Sequence, residues 1–400
     1  MIVQKYGGSS LASMQKMRAV ANQIVVAKQN HHQIIVVVSA MGKTTNKLMA
    51  LAQEASMNPS KRELDMLLST GEQVSTALLS MILNEMGHQA LSLNGFQAGI
   101  ETVGLHTKNK IKDIDTSRIR RYLNEDYIVI ITGFQGYNSD AGDITTLGRG
   151  GSDTSAVALA AKFQCACEIF TDVDGIHTID PRRYKPSKKL ETISYEELTE
   201  LAFLGAHVMD SRAVEIAKKY QVPLRIAKTH RTGDGTWVKE NDCMMEARKI
   251  TGVSIKDDIM MMTLHRLNTP EKSVSHLFST LAEKEINVDM ISQTLIEDGI
   301  VSIAFTCDLS EISGVRASID AMNHDYPGFL VTEDKFVSKV SVVGLGMRSQ
   351  SGVAASMFAL LSKENIPFKL VTTSDISISY TIPKSLTDKA VRLIAEQFGL

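Results

Sequence analysis

Thr145-Thr-Leu-Gly-Arg-Gly-Gly-Ser-Asp-Thr154 packs three glycines, an arginine and a carboxylate into one turn. Before it, Ile128-Val-Ile-Ile-Thr132 is β-branched and reads as a buried strand. After it, Thr154-Ser-Ala-Val-Ala-Leu-Ala-Ala161 is small and helix-forming. A glycine-lined loop that feeds a helix start presents backbone N–H groups and the positive end of the helix dipole, which suits an anion. Arg149 adds a planar fork matched to carboxylate or phosphate, with Gly150, Gly151 and Ser152 forming the turn. The competing reading is a glycine turn capped by Ser152. For one loop the two readings weigh evenly; further loops of the same kind shift the balance toward a site.

The N-terminus supplies one. Met1-Ile-Val-Gln-Lys-Tyr-Gly-Gly-Ser-Ser10 runs a short strand into Gly7, Gly8 and Ser9, with Lys5 at the strand end as a point charge for polyphosphate. The lysine precedes the glycines, so this is not P-loop spacing. A second strand, Ile34–Val38, turns at Ser39-Ala-Met-Gly42 and leads to Thr44, Thr45 and Asn46, and Glu72 follows Thr70-Gly71 near a helix start. A further strand ends at Thr171, Asp172 and Asp174, then continues through His177 to Asp180-Pro-Arg182. Carboxylates at such a strand end contact Mg²⁺, a ribose or a base, or only cap the loop. In an open α/β sheet, ligands gather outside the carboxyl ends of the strands. Convergence of four such ends is the expectation that makes a site.

Bulk properties narrow the class. A chain of 400 residues exceeds one ordinary core, so two or three domains are expected. Lys and Arg total 43 against 45 acidic residues, which argues against nucleic acid as the main partner. Charged residues at 22% and hydrophobic ones at 44% fit a globular protein. No apolar run reaches the ~18–20 residues of a membrane span, and the start lacks a signal-peptide pattern. The four cysteines and ten histidines show no metal-ligand spacing, so no all-protein metal site is predicted. A reduced, cytoplasmic protein is the simplest expectation.

Residues 1–245 alternate strand and helix patterns, with strands at Ile34–Val38, Ala90–Leu93, Ile128–Thr132, Cys167–Thr171 and Leu224–Ala227, and long helices over Arg62–Met86 and Tyr195–Tyr220. That alternation predicts an α/β domain: a largely parallel sheet sandwiched by helices. The remainder holds an internal repeat. Ser273–Thr294 aligns with Val353–Ser374 at an offset of about 80 residues, pairing Phe278 with Phe358, Leu281 with Leu361 and Ile286 with Ile366. Each copy reads βαββαβ, the ferredoxin-like arrangement, over 258–332 and 336–400, with a strand from 251–256 available to complete the second. The pair is either a structural or dimerisation module or a metabolite sensor.

Together these motifs resemble the aspartokinases of the amino-acid-kinase family, in the form whose kinase domain is followed by two ACT domains. Lys5–Ser10 looks like the family's opening motif, Ser39-Ala-Met-Gly42 with Thr45 its second loop, and Thr70-Gly-Glu72 its third. Thr146–Ser155 and Thr171–Arg182 complete the set, and the resemblance covers essentially the whole chain. It implies ATP-dependent phosphorylation of the L-aspartate side-chain carboxylate to 4-phospho-L-aspartate, the first step toward lysine, threonine, methionine and diaminopimelate. Mg²⁺ would arrive with the nucleotide.

The resemblance also implies roles. Lys5 neutralises the β/γ-phosphates, helped by Gly7, Gly8 and Ser9. Arg149, with Gly150, Gly151 and Ser152, grips the substrate α-carboxylate. Glu72 takes the ammonium, with Thr45, and Ser39 contacts substrate or phosphate. Asp153 orders the lysine or binds substrate. Thr171, Asp172, Asp174, His177 and Arg182 line the nucleotide pocket. A lysine or threonine effector would lie between ACT copies, with Met347, Ser349 and Val353 facing Asp289, Ile291 and Gln293, and the ACT domains imply a homodimer or larger homo-oligomer. Departures from the pattern include His177 where tyrosine or phenylalanine is common, Asp210-Ser-Arg212 in place of a His-Pro/Ser-Arg segment, Asn268-Thr-Pro-Glu-Lys272 without the glycine often found beside that proline, and Asp375 where glutamate is common. The alternatives are a related kinase acting on glutamate, acetylglutamate or carbamate, and a non-catalytic sensor with a degenerate kinase domain.

Overall fold

The computed structural model describes residues 1–206, 208–229, 235–240, 249–294 and 299–400. They form two compact units. One comprises Met1–Ile176, Lys189–Ala202 and His207–Cys243; the other comprises His177–Lys188, Phe203–Ala206 and Met244–Leu400. The boundary expected near residue 245 lies outside the described residues, as does most of the polar stretch 229–236.

The first unit is built on an eight-stranded sheet. Its strands are β1 (Ile2–Tyr6), β2 (Ile34–Val38), β3 (Ala90–Leu93), β6 (Ile128–Thr132), β9 (Ala166–Thr171), β10 (Thr192–Ile193), β11 (Leu224–Lys228) and β12 (Thr236–Val238), in the order β10-β12-β11-β9-β1-β2-β6-β3. All neighbours pair in parallel except β11 with β12. Every residue of β2 and β6 is buried. Continuous burial is what helices on both faces demand, and it explains why these strands read as unbroken β-branched runs. On one face, α1 (Met14–Asn30) and α4 (Thr70–Glu85) bring Met17, Val20, Ile24, Leu79 and Leu83 against Ile34, Val36 and Ile130. A small sheet of β4 (Ile100–Val103), β5 (Lys110–Ile114), β7 (Gln135–Asn138) and β8 (Asp143–Thr146), in the order β5-β4-β7-β8, delivers the chain to the arginine loop.

Two expected helices are each divided. The stretch Arg62–Met86 is α3 (Lys61–Leu68) and α4, after the short α2 (Thr44–Ala55). They meet at Ser69, whose carbonyl accepts from the Gln135 amide at 2.8 Å and from the Gln73 amide at 3.3 Å. The span Lys61–Glu85 is apolar enough to cross a membrane by length and composition, yet 56% of its most apolar window is buried inside the protein. The stretch Tyr195–Tyr220 is α7 (Tyr195–Phe203) and α8 (Ser211–Tyr220), the latter capped by the Asp210 side chain, which accepts from the Arg212 N–H at 3.1 Å. The remaining helices of this unit are α5 (Ser117–Asn124) and α6 (Gly151–Phe163).

The second unit contains two antiparallel four-stranded sheets. β14 (Ile259–Asn268), β15 (Val288–Gln293), β16 (Ile300–Asp308) and β17 (Leu330–Asp334) are ordered β15-β16-β14-β17, with α9 (Pro270–Glu283) and α10 (Ile312–Asp325). β13 (Gly252–Lys256), β18 (Val337–Val343), β19 (Val371–Thr373) and β20 (Ser377–Pro383) are ordered β13-β18-β20-β19, with α11 (Val353–Lys363) and α12 (Thr387–Phe398). The place beside the first strand that β17 fills in the first copy is filled in the second by β13, antiparallel to β18 from Gly252↔Val343 to Lys256↔Lys339. The two copies share an apolar cluster of Ile259, Met261, Met290, Val337 and Leu370, beside a fully buried Lys339 that pairs with Asp289. Residues 177–188 are stitched to the second copy. The Val253 N–H donates to the Thr178 carbonyl at 2.7 Å, Ile179 lies in the core, and Arg183 bridges Asp257 (2.5 Å) and Asp388 (2.9 Å).

Candidate active site

The order β9-β1-β2-β6 places four strand ends side by side. Tyr6 is in register with Val38 and Phe170, and Val38 with Thr132. Each loop is tied to its neighbour as it leaves the sheet. The Gly7 N–H donates to the Phe170 carbonyl (3.3 Å), Ser39 to Tyr6 (3.1 Å), Gly133 to Val38 (2.9 Å), and Gly42 back to Gly8 (2.8 Å). A Cβ on Gly8 would stand 2.5 Å from the Ala40 carbonyl oxygen, so the glycine is required by the close approach of the first two loops. Gly8 and Ser9 open a short 3₁₀ turn. Their N–H groups donate to no backbone carbonyl among the described residues.

Charge enters from three directions. Lys5 meets Asp153 in an ion pair of 2.6 Å, with both side chains about nine-tenths buried. Asp153 sits in the first turn of α6, where the helix dipole favours an anion. Arg149, four residues earlier, is exposed, and its guanidinium has no protein partner among the described residues. The loop that presents it is clamped by Arg212, whose Nη2 donates to the carbonyls of Leu147 (2.6 Å) and Arg149 (3.2 Å). Gly150 has φ +70°, and a Cβ there would stand 2.3 Å from the Asp210 side chain. Asp210 and Arg212, which stand out in the sequence only as a departure from the family pattern, thus support the arginine loop.

Glu72 comes from the first turn of α4 and is 3% exposed. Its Oε1 accepts from the Ala40 N–H at 3.0 Å, while Oε2 is buried without a hydrogen-bond partner. Burial pushes its pKa up from 4.5 to about 7, only partly offset by the Ala40 N–H. An unpaired buried carboxylate oxygen costs free energy unless a donor arrives, and a ligand ammonium is a fitting one.

Other expected site residues are distributed less tightly. Ser39 and Thr45 are half-buried at the end of β2 and the first turn of α2. Thr171 donates to Asp172 at 3.0 Å, with Asp172 exposed and Asp174 half-buried beyond it. Gly151 and Ser152 are buried in the first turn of α6. His177 and Arg182 fall among the residues of the second unit. There the His177 Nδ1 is 3.4 Å from the Ser187 hydroxyl, and the Arg182 fork closes on Asp180 through Nε and Nη2, the latter at 2.8 Å. In the ACT region, Met347 and Ser349 lie in the turn before α11, and the Val353 side chain belongs to the core of the second copy. Ile291 and Gln293 are exposed on β15, and the Asp289 carboxylate is held by Lys339.

No group of three or more metal-ligating side chains occurs among the described residues. The Lys5 ammonium, 3.7 Å from where a Cβ of Gly7 would stand, and the glycine loop that follows it fit a polyphosphate that brings its own Mg²⁺.

Comparison with known proteins agrees with this geometry. Residues 1–228 match the amino acid kinase family and residues 340–398 an ACT domain. Aspartokinase 2 of Bacillus subtilis is 45% identical over 401 residues, spanning 100% of this chain and 98% of its own. The aspartokinase of Geobacillus stearothermophilus is 46% identical over 403 residues, spanning 100% and 97%. Among solved structures, E. coli aspartokinase III in complex with aspartate and ADP superposes with a TM-score of 0.84 at 24% identity over the full length of both chains, a likeness of fold. Aspartate kinase from Synechocystis is 37% identical, with a TM-score of 0.55, over 100% of this chain and 70% of its own. An amino-acid-kinase sheet with its strand ends sewn around Lys5, followed by paired ferredoxin-like sheets, and full-length relatives of one kind lead to the same conclusion: this chain belongs to the aspartokinase family.

Proposed function

We propose that the chain transfers the γ-phosphoryl group of ATP to the side-chain carboxylate of L-aspartate, giving 4-phospho-L-aspartate and ADP. The observation that carries this reading is a buried, half-satisfied Glu72 bonded to the loop after β2, together with an Arg149 that has no partner among the described residues and stands four residues before the Asp153 paired with Lys5. One acceptor and one cation are what an amino-acid zwitterion needs; a second, preorganised cation is what a polyphosphate needs.

The nucleophile requires no base, because an aspartate side-chain carboxylate is ionised near neutral pH. One of its oxygens forms the new bond to the γ-phosphorus as the bond from that phosphorus to the β,γ-bridging oxygen breaks, and ADP leaves with the electron pair. The protein's task is to align two anions and to neutralise the transferring group. Lys5, held in place by Asp153, serves the phosphates together with the N–H groups of Gly7, Gly8 and Ser9. Arg149 holds the α-carboxylate and Glu72 the ammonium. Thr171, Asp172 and Asp174 flank the nucleotide. Bound with ATP, Mg²⁺ would add charge neutralisation on the phosphates.

The same reading carries a lysine or threonine effector at the paired ACT copies, a homodimer or larger assembly, a cytoplasmic enzyme, and a place at the head of lysine, threonine, methionine and diaminopimelate synthesis. The test is ADP release with aspartate, glutamate, acetylglutamate and carbamate, with hydroxylamine trapping of the acyl phosphate, and with and without lysine and threonine. Aspartate alone turning over supports the reading; turnover of another acid instead, or of none, overturns it.

A further inference from the structure

A second buried carboxylate lies outside the groups just used. Asp65, in the middle of α3, is fully buried and gathers donors from two other segments. The Thr107 N–H reaches both its oxygens (3.0 and 3.1 Å), the His106 Nδ1 lies 2.7 Å from Oδ2, and the Thr146 hydroxyl donates to Oδ1 at 2.5 Å. One side chain therefore joins three stretches that share no strand or helix. A buried carboxyl group with this many donors is a strong and geometrically demanding junction.

Its position gives the junction a consequence. Asp65 is seven residues before Glu72, and its own carbonyl accepts from the Ser69 N–H at 3.0 Å, so the end of α3 is fixed directly to the start of α4. Thr146 ends β8, three residues before Arg149, and its carbonyl accepts from the Asn109 N–H at 3.1 Å. Glu72 and Arg149 are the two residues assigned above to the ammonium and α-carboxylate of the substrate. Asp65 ties the helix that leads into one to the strand feeding the other.

We propose that Asp65, through His106, Thr107 and Thr146, is a positioning residue that sets the gap between Glu72 and Arg149 and thereby the grip on the amino-acid head of the substrate. The inference rests on the proposed function and assigns no contact between Asp65 and substrate. Misplacing a substrate-holding pair by a fraction of an ångström weakens binding of the molecule held and leaves the nucleotide side unaffected.

Steady-state constants of full-length Asp65→Asn, Thr146→Val, His106→Ala and His106→Asn decide it. The expected result is a KM for aspartate raised about 10-fold or more in Asp65→Asn, Thr146→Val and His106→Ala, with KM for ATP within about 2-fold. His106→Asn, whose amide nitrogen can stand where Nδ1 stood, should recover most of the loss. KM values for the two substrates that rise together, or stay unchanged, or an Asn variant no better than Ala, overturn the inference alone. A wild-type enzyme inert toward aspartate overturns the proposed function and this inference with it. If Asp65→Asn does not fold, Thr146→Val and the His106 pair decide the matter in its place, since each leaves the buried carboxylate with other donors.

Discussion

The backbone N–H of Ala40 and the carboxylate of Glu72 are joined by a single hydrogen bond of 3.0 Å, and the other oxygen of Glu72 is buried without a partner. Burial raises the Glu72 pKa to about 7, against an ordinary 4.5, and the Ala40 N–H offsets this only in part. Between those values the folded chain holds a proton that the unfolded chain has released. Stability of the free protein should therefore be fullest below about pH 4.5 with respect to this group and fall as pH rises to 7, by on the order of 3 kcal/mol. Glu72→Gln should remove that contribution from a plot of unfolding free energy against pH. If the slopes of the two proteins coincide, Glu72 is not perturbed.

Catalysis should read the same group with opposite sign. An ammonium needs the ionised carboxylate, so kcat/KM for aspartate should drop on the acid side with an apparent pKa near 7. At saturating aspartate the limb should move to lower pH, because the bound ammonium favours the charged form. A kcat/KM profile flat from about pH 6 to 8 would exclude Glu72 as the ammonium partner.

Lys5 lies nearly buried against Asp153 and close to the free N–H groups of the first loop. Lys5→Ala should lower kcat by about 10²–10³-fold, the usual cost of removing a preorganised transition-state donor. Asp153→Asn should leave the lysine present but less fixed and cost less. Single-turnover rates separate these effects from binding, and an alanine variant with normal turnover would remove Lys5 from the mechanism.

Arg149→Ala should raise KM for aspartate and leave KM for ATP within about 2-fold, because the guanidinium is assigned to the α-carboxylate alone. Arg212→Ala should act in the same direction more weakly, since it releases the carbonyls of Leu147 and Arg149 without removing the binding fork. A change confined to ATP affinity would reverse the assumed orientation of the substrates.

Lys339 is wholly buried between the two ACT copies and paired with Asp289. Asp289→Ala should destabilise the chain by about 3–5 kcal/mol by removing the carboxylate paired with this buried ammonium, and adding Lys339→Met should recover much of it. Chemical denaturation of the two singles and the double gives the coupling, which should exceed about 1 kcal/mol.

Much of this architecture can be read from the chain before any coordinates. Ile34–Val38 and Ile128–Thr132 are strands with the bounds their β-branched runs imply; Lys5 lies near the end of β1, Arg149 on the loop before α6, and Glu72 and Asp153 in the first turns of α4 and α6, each next to a stretch that glycine marked. What escaped has physical causes. The break at Ser69 leaves helical periodicity intact on both sides, and the amide that contacts its carbonyl belongs to the distant Gln135. The sheet β5-β4-β7-β8 uses strands of four or five residues with polar faces, too short for a period to show. Asp65 sits in an amphipathic helix where an acidic residue reads as surface, and its partners His106 and Thr146 are 41 and 81 residues away. Residues 177–188 follow directly from a strand of the first unit, and their packing on the second copy leaves no local mark.

The edge strand β13 gives the second ACT copy an origin on both sides of the first. Topologically the first copy is an insertion inside the second, spliced between its outermost strand and the rest. A fragment cut at the apparent boundary near residue 336 would leave β18 with a bare flank of unpaired amides, ready to recruit a stray strand. Bringing residues 252–256 along on a flexible tether, or circularly permuting the module so that β13 follows α12, should yield the autonomous piece that a cut at 336 would not.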